Sequence, residues 1–185
     1  SFDHDKSIHI VADGIGGYDC GEIASKIVCE SYIHGLVNNL SIDEVTKEIS
    51  RNIQTECRNL GVSKMGSTVA AVFLNGLQAS IFWAGDSRVY VFRDKHLLYQ
   101  TEDHSLVNSL VKLGKITPEE ALTHPQRNVI IRAIQGTHTP TEADNITLND
   151  NQPHEFLFLS TDQVLERMKK ENRQAKTDVL TDRKM

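Results

Sequence analysis

Residues 8–25, IHIVADGIGGYDCGEIAS, constrain this chain more than any other stretch. An apolar run ends abruptly at Asp13, four glycines fall within the next eight residues, and a helical pattern opens near Gly21 and Glu22. Strand, tight turn and helix must therefore follow one another in a single unit, with a carboxylate at the strand end. Glycine admits positive φ and lets main-chain carbonyls and a carboxylate come close to an ion or a phosphate. Two readings stay open at this point. One is a metal or phosphate site; the other is a plain strand-to-helix turn whose aspartate is solvated.

The length of 185 residues suits one domain with a substantial core, or a large fragment of a slightly bigger one. A net charge of −5 with no long basic run argues against nucleic acid as the main partner, because phosphate neutralisation needs clustered Lys and Arg. The acidic excess is compatible with a cation site. Cys20, Cys29 and Cys57 are odd in number and lack C-x-x-C spacing, so they read as reduced thiols of a cytoplasmic protein. No apolar run approaches the roughly 20 residues of a membrane helix, and no secretory leader pattern opens the chain. Residues 1–6 are polar apart from Phe2 and lie so close to the first strand that a preceding segment is expected to be missing.

After the glycine turn, Ala24, Val28, Tyr32, Leu36 and Leu40 recur every fourth residue, the stripe of a helix packed on a core. Ser41 and Glu44 form a capping-box signature for a second helix carried by Ile42, Val45, Ile49, Ile53 and Leu60 and stopped by Gly61. From Gly66 the period changes to that of strands. Residues 67–74, 77–84, 88–93 and 96–100 read as an antiparallel meander separated by short turns. Both faces of the first two strands are apolar, which predicts a sheet covered by helices on one side and by another sheet on the other. Residues 105–114 return to helical spacing, and Thr117-Pro118-Glu119-Glu120 starts a further capped turn. Residues 128–134 and 155–159 are expected strands, and 163–175 a polar helix.

Carboxylates at strand ends and turns are the chemical candidates: Asp13, Asp86, Asp103 and Asp162. Asp13 and Asp162 each follow an apolar strand, so both can project from one sheet edge into one pocket. Aspartates converging without Cys or matched His favour hard, oxygen-preferring ions such as Mg²⁺ or Mn²⁺ over zinc. Paired ions of this kind lower the pKa of a water and clamp a phosphoryl group. Spacing alone leaves a phosphoester hydrolase and a non-catalytic cation-binding domain side by side.

The motifs VADGIGG at 11–17, GEIAS at 21–25, GST at 66–68, WAGDSR at 83–88, TEDHS at 101–105, IRAIQG at 131–136 and LSTD at 159–162 occur in this order. Together they closely resemble the signature of PPM-type (protein phosphatase 2C-like) serine/threonine phosphatases in their bacterial form. The resemblance implies an α+β fold, a four-layer α-β-β-α sandwich of two antiparallel sheets flanked by helices. It further implies two or three Mn²⁺ or Mg²⁺ ions and attack of a metal-activated water on phosphoserine or phosphothreonine. The partners it implies are phosphorylated protein substrates of a cognate Ser/Thr kinase, and we expect a monomer.

Residue by residue, Asp13 resembles the ligand that bridges both metals, Gly14 the carbonyl ligand of the first, Asp162 a ligand of the second and Asp103 a holder of the third. Thr68 and Ser67 match a sheet-crossing hydroxyl pair. Asp86 and Arg88 match a tight turn in which the two are expected to pair. Residues 105–127 match a flap beside the active site; within it His124 and Arg127 are read as surface residues, and His104 as a loop-fixing residue. The chain also departs from the family. The upstream Arg and Asn-x-Asp motif lie before the first strand, and Asp3 and Asp5 are poor substitutes. Asp162 is followed by Gln163 instead of glycine, which points to residues lost after Asp162. Asp144-Asn145-Ile146-Thr147 has the letters of the family's last ligand motif, but it precedes Asp162 in a connecting segment and reads as a decoy. Asp178, in Asp178-Val179-Leu180-Thr181, is the remaining candidate ligand. Ile15 leaves no histidine beside Gly14 to act as general acid. Residues 1–185 are thus expected to form one phosphatase-like catalytic domain without its N-terminal segment. The alternative is a catalytically impaired phosphoprotein-binding or regulatory module of the same fold.

Overall fold

Strand β1 (Lys6–Val11) carries the apolar run into a sheet and stops just before Asp13. The computed structural model describes residues 6–15, 20–93, 96–137, 140–149 and 156–160. Helix α1 (Gly21–Val37) buries Ala24, Val28, Tyr32 and Leu36, the fourfold stripe of the sequence. Leu40 lies beyond the Asn38 cap of α1 and is only partly covered, 37% exposed. Helix α2 (Ile42–Leu60) starts on the Ser41 capping box, in which Ser41 N–H donates to Glu44 Oε2 at 2.9 Å and Glu44 N–H donates back to Ser41 Oγ at 3.3 Å. It buries Val45, Ile49 and Ile53, while Leu60 at its end is exposed.

The remaining strands are β2 (Gly66–Ser67), β3 (Val69–Asn75), β4 (Gln78–Ala84), β5 (Arg88–Arg93), β6 (His96–Gln100), β7 (Ile134–Gln135), β8 (Asp144–Asn149) and β9 (Phe156–Ser160). Two short helices, α3 (Leu106–Lys112) and α4 (Pro118–Thr123), lie between β6 and β7. One sheet has the order β1-β3-β4-β8, a second β6-β5-β9, and β2 pairs with β7. Strand alternation divides the first sheet into two apolar faces. Ile8, Ile10, Val69, Ala71, Phe82 and Ala84 join the buried faces of α1 and α2 in one core. Ala70, Val72, Ala79, Ile81 and Trp83 face the other way and pack with Val89 and Val91 of β5. Helices on one side and a second sheet on the other are thus both present. The polar helix expected over 163–175 lies outside the described residues.

Four expectations are corrected. Strand β5 does not continue the hairpin of β3 and β4. β4 is already paired with β3 on one edge and with β8 on the other, so β5 has no free edge there and turns into the second sheet to pair with β6 and β9. Residues 67–74 are not one strand, because Thr68 interrupts them and gives its bonding groups to Asp13 and Ser87. Residues 128–134 form no extended strand; their amides and carbonyls tie down the preceding helices, with Leu106 N–H donating to Val129 O and Ile131 N–H to His104 O. Asp144-Asn145-Ile146-Thr147 is not a connecting segment but the start of β8, with Asp144 opposite Trp83.

Candidate metal centre

Asp13 and Gly14 follow β1 directly, and the chain segment through β2 fixes them. Asp13 N–H donates to Thr68 Oγ1 at 3.1 Å, while Asp13 O accepts from Thr68 N–H at 2.9 Å and from Ser67 Oγ at 3.1 Å. Ile15 N–H donates to Gly66 O at 3.1 Å, so the residues on either side of Gly14 are pinned to the same crossing segment. A Cβ on Gly14 would stand 2.4 Å from the backbone of Gly21, which closes this position to any side chain and presses the strand end against the start of α1.

A second set of bonds links this strand end to the 101–105 loop. Thr68 Oγ1 lies 2.6 Å from Ser87 Oγ, in the corner where β4 passes to β5. In the same corner Gly85, at φ +105°, donates its N–H to His104 Nδ1 at 3.1 Å and accepts from His104 N–H at 2.9 Å. Because Nδ1 accepts, the ring proton is assigned to Nε2, which donates to Asp144 Oδ2 at 3.1 Å. Burial pushes the His104 imidazole below its ordinary pKa, and the Arg132 guanidinium adds to this against the opposing pull of Asp144. Asp144 is held below the usual carboxylate range: burial works against this, but the His104 bond and the Arg132 charge outweigh it. Arg132 also bonds Asp144 Oδ1, so one carboxylate joins β8, the loop and the 130–133 segment. His104 therefore fixes the loop.

Asp103 accepts both prongs of the Arg88 guanidinium, Nε at 2.6 Å and Nη2 on its other oxygen. The fork expected to pair with Asp86 is given to Asp103, and that carboxylate raises the Arg88 pKa. Asn108 Nδ2 holds the Asp103 carbonyl at 3.0 Å, which ties α3 to the loop. Around these groups a polar cavity of about 320 Å³ is lined by Asp103, His104, Lys112, Arg132 and Asp144. Another of about 530 Å³ lies between Ile15 and Ile130, Ile131, Ala133 and Gln135. In the flap His124 Nδ1 accepts from Gln126 N–H, and Arg127 is exposed.

Of the sequence-derived ligands, Asp13, Gly14 and Asp103 are described; Asp162 and Asp178 lie outside the described residues. Among the described residues no three His, Cys, Asp or Glu side chains gather as a metal cluster. The donors that are described fit a hard cation: a carboxylate and an adjacent main-chain carbonyl, both oxygen, on a strand end held rigidly by its neighbours. A cation at Asp103 would have to share the carboxylate with Arg88. Sequence reasoning missed the part played by Arg132 and Asp144. Asp144 was visible as an acidic residue at the head of a β-branched run, but nothing in the sequence places it opposite Trp83.

Two sheets packed beneath paired helices, with an Asp-Gly pair at one strand end, define the fold of the metal-dependent protein phosphatases. The family described as protein phosphatase 2C matches residues 1–182. A protein phosphatase 2C-type protein of Streptococcus pyogenes serotype M6 is 38% identical over 172 residues, covering 87% of this chain and 69% of that protein. The crystal structure of serine/threonine phosphatase Stp1 from Staphylococcus aureus superposes with a TM-score of 0.72 at 31% identity, covering 85% of this chain and 65% of that one. The catalytic domain of the serine/threonine protein phosphatase PstP, solved in complex with two manganese ions, gives a TM-score of 0.61 at 28% identity over 77% of this chain and 65% of that one. The chain belongs to the protein phosphatase 2C family and spans about two thirds of the length of these relatives.

Proposed function

We propose that this chain is the catalytic unit of a metal-dependent protein phosphatase that hydrolyses phosphoserine and phosphothreonine in proteins. The observation that carries the reading is the Asp13-Gly14 strand end, locked by Ser67 and Thr68 in a member of this family. Asp13 and Gly14 would hold Mn²⁺ or Mg²⁺ together with Asp162 and Asp178, the last two assigned from sequence order alone. Asp103 would serve a further ion in competition with Arg88. Manganese in the PstP structure supports the choice of metal. When bound, such ions supply an activated water and neutralise charge on the phosphate. The chain's own part is to hold Asp13 and Gly14 in fixed geometry and to exclude movement at the strand end, so that little reorganisation is needed on substrate binding.

The two cores share β3 and β4, which supports reading residues 1–185 as one catalytic domain. No helix among the described residues is long and apolar enough to cross a membrane. The three free cysteines suit a reducing compartment, and a cytoplasmic monomer opposing a Ser/Thr kinase completes the proposal. The test is Mn²⁺-dependent hydrolysis of p-nitrophenyl phosphate and of a phosphothreonine peptide by the intact protein. Asp13→Ala and Asp162→Ala are each expected to lower kcat by more than about 100-fold, beyond the usual cost of losing an outer-shell partner of a metal. Turnover that neither substitution reduces would overturn the assignment.

A further inference from the structure

We propose that Thr68 is a positioning residue for Asp13, its buried hydroxyl setting the direction in which the strand end presents its carboxylate. The proposal rests on the reading of Asp13 as a metal ligand. In an ordinary antiparallel pair the Asp13 N–H would meet a main-chain carbonyl. Here it donates to Thr68 Oγ1 at 3.1 Å, so one side-chain rotamer decides where the Asp13 backbone lies.

That rotamer has no freedom. Thr68 is 2% exposed, and its Cγ2 lies 2.6 Å from where a Cβ on Gly85 would stand, so the methyl fills the space left by that glycine. With the methyl against Gly85, the hydroxyl faces Asp13 and Ser87 Oγ, the latter 2.6 Å away and itself 1% exposed. Ser87 stands in the corner whose Gly85 holds both the Nδ1 and the N–H of His104, next to Asp103. A single hydroxyl thus registers the Asp13 strand end against the loop that carries Asp103.

The main-chain bonds Thr68 N–H to Asp13 O and Ile15 N–H to Gly66 O do not depend on the hydroxyl. Its loss is therefore compatible with the fold while leaving the Asp13 N–H and the Ser87 hydroxyl short of a partner. Thr68→Val keeps the methyl contact and removes the hydroxyl. Thr68→Ser keeps the hydroxyl and removes the methyl.

Calorimetric titration of the intact protein with Mn²⁺ alone, beside thermal melts of the metal-free protein, tests the proposal. Thr68→Val is expected to weaken Mn²⁺ binding about tenfold or more, the effect of one buried group left unpaired, while Thr68→Ser stays within about threefold of wild type. Ser87→Ala keeps the rotamer, since the methyl stays against Gly85, but takes away the second hydrogen-bond partner that polarises the hydroxyl, and gives an intermediate loss. It serves in place of Thr68→Val if that variant does not fold. Wild-type Mn²⁺ affinity in Thr68→Val, or in Ser87→Ala where that variant stands in, overturns the inference even if melting falls, since the role would then be structural only. Equal weakening in Thr68→Ser and Thr68→Val also overturns it, because the methyl would be the cause. A wild-type protein that binds no Mn²⁺ overturns the metal reading of Asp13 and this inference with it.

Discussion

Tyr32 shows at the scale of one residue how a polar atom is accommodated in the helix-facing core. Its ring lies 4.7 Å from that of Phe82, and its hydroxyl is 2.6 Å from Thr46 Oγ1, which donates on to Ile42 O at 2.7 Å. Thr46 has only one proton to give, so the phenol is the donor to it. Burial pushes the Tyr32 phenol from 10 up to about 12. With the folded pKa above the unfolded one, the stability linked to this group is complete below pH 10. It is lost as pH rises from 10 towards about 12, because the unfolded chain releases the proton first. The full loss is on the order of 2–3 kcal/mol. Tyr32→Phe is expected to cost about 1 kcal/mol at neutral pH, the net worth of one hydrogen bond, and to remove this alkaline slope. Denaturant melts of the two proteins should therefore converge and cross near about pH 11. A stability gap that stays constant from neutral to alkaline pH would show that the phenol is not held neutral by the fold.

At the scale of elements, α3 and α4 hang from a root built around His104. Leu106 N–H reaches Val129 O, Ile131 N–H reaches His104 O, and Ser105 bridges Ile130, so both ends of the segment are fastened to one loop. Arg132 fastens that loop to β8 through Asp144. Half-exposed ion pairs contribute little to global stability, but local opening depends on them directly. Arg132→Ala is expected to change the global unfolding free energy by less than about 1 kcal/mol while raising amide hydrogen exchange at Leu106 and Ile131 about tenfold. Unchanged exchange at those amides would remove Arg132 from the root. This root is where the sequence was least legible. The stripe of α1, the Ser41 and Thr117 capping boxes and the two-faced β3 and β4 all follow from local periodicity, and the structure contains them. The passage of β5 into another sheet does not, since it depends on β8 occupying the free edge of β4 from 60 residues further on. Likewise the Asp13-Gly14 end was legible from its letters, whereas its clamp by Thr68, Ser87 and Gly85 required the crossing of distant segments. A Gly-Asp-Ser turn reads as a hairpin whenever apolar runs flank it, and only tertiary pairing says otherwise.

The whole molecule is organised by the sheet that stands between its two cores. Val69, Ala71, Phe82 and Ala84 belong to the core under α1 and α2, and Ala70, Val72, Ile81 and Trp83 to the core against β5, yet all eight sit on the same two strands. A face of β3 cannot lose its packing without loosening the backbone that carries the other face. The two cores are therefore expected to melt together. Ile49 of α2 and Ile81 of β4 are both fully buried, one in each core. Ile49→Ala and Ile81→Ala should each cost about 2–5 kcal/mol, the transfer term plus the cavity left behind. The chain has a single tryptophan, Trp83, and it reports on the second core, while helical circular dichroism reports mainly on α1 and α2 above the first. In wild type and in both variants the two signals should follow one transition with a shared midpoint. If Ile49→Ala shifts the helical transition below the tryptophan transition, the two layers unfold independently. The Asp13 strand end, which is clamped from the helix-facing side by Gly21 and from the crossing side by Thr68, would then lose one clamp before the other, and Mn²⁺ binding would fail ahead of tryptophan exposure.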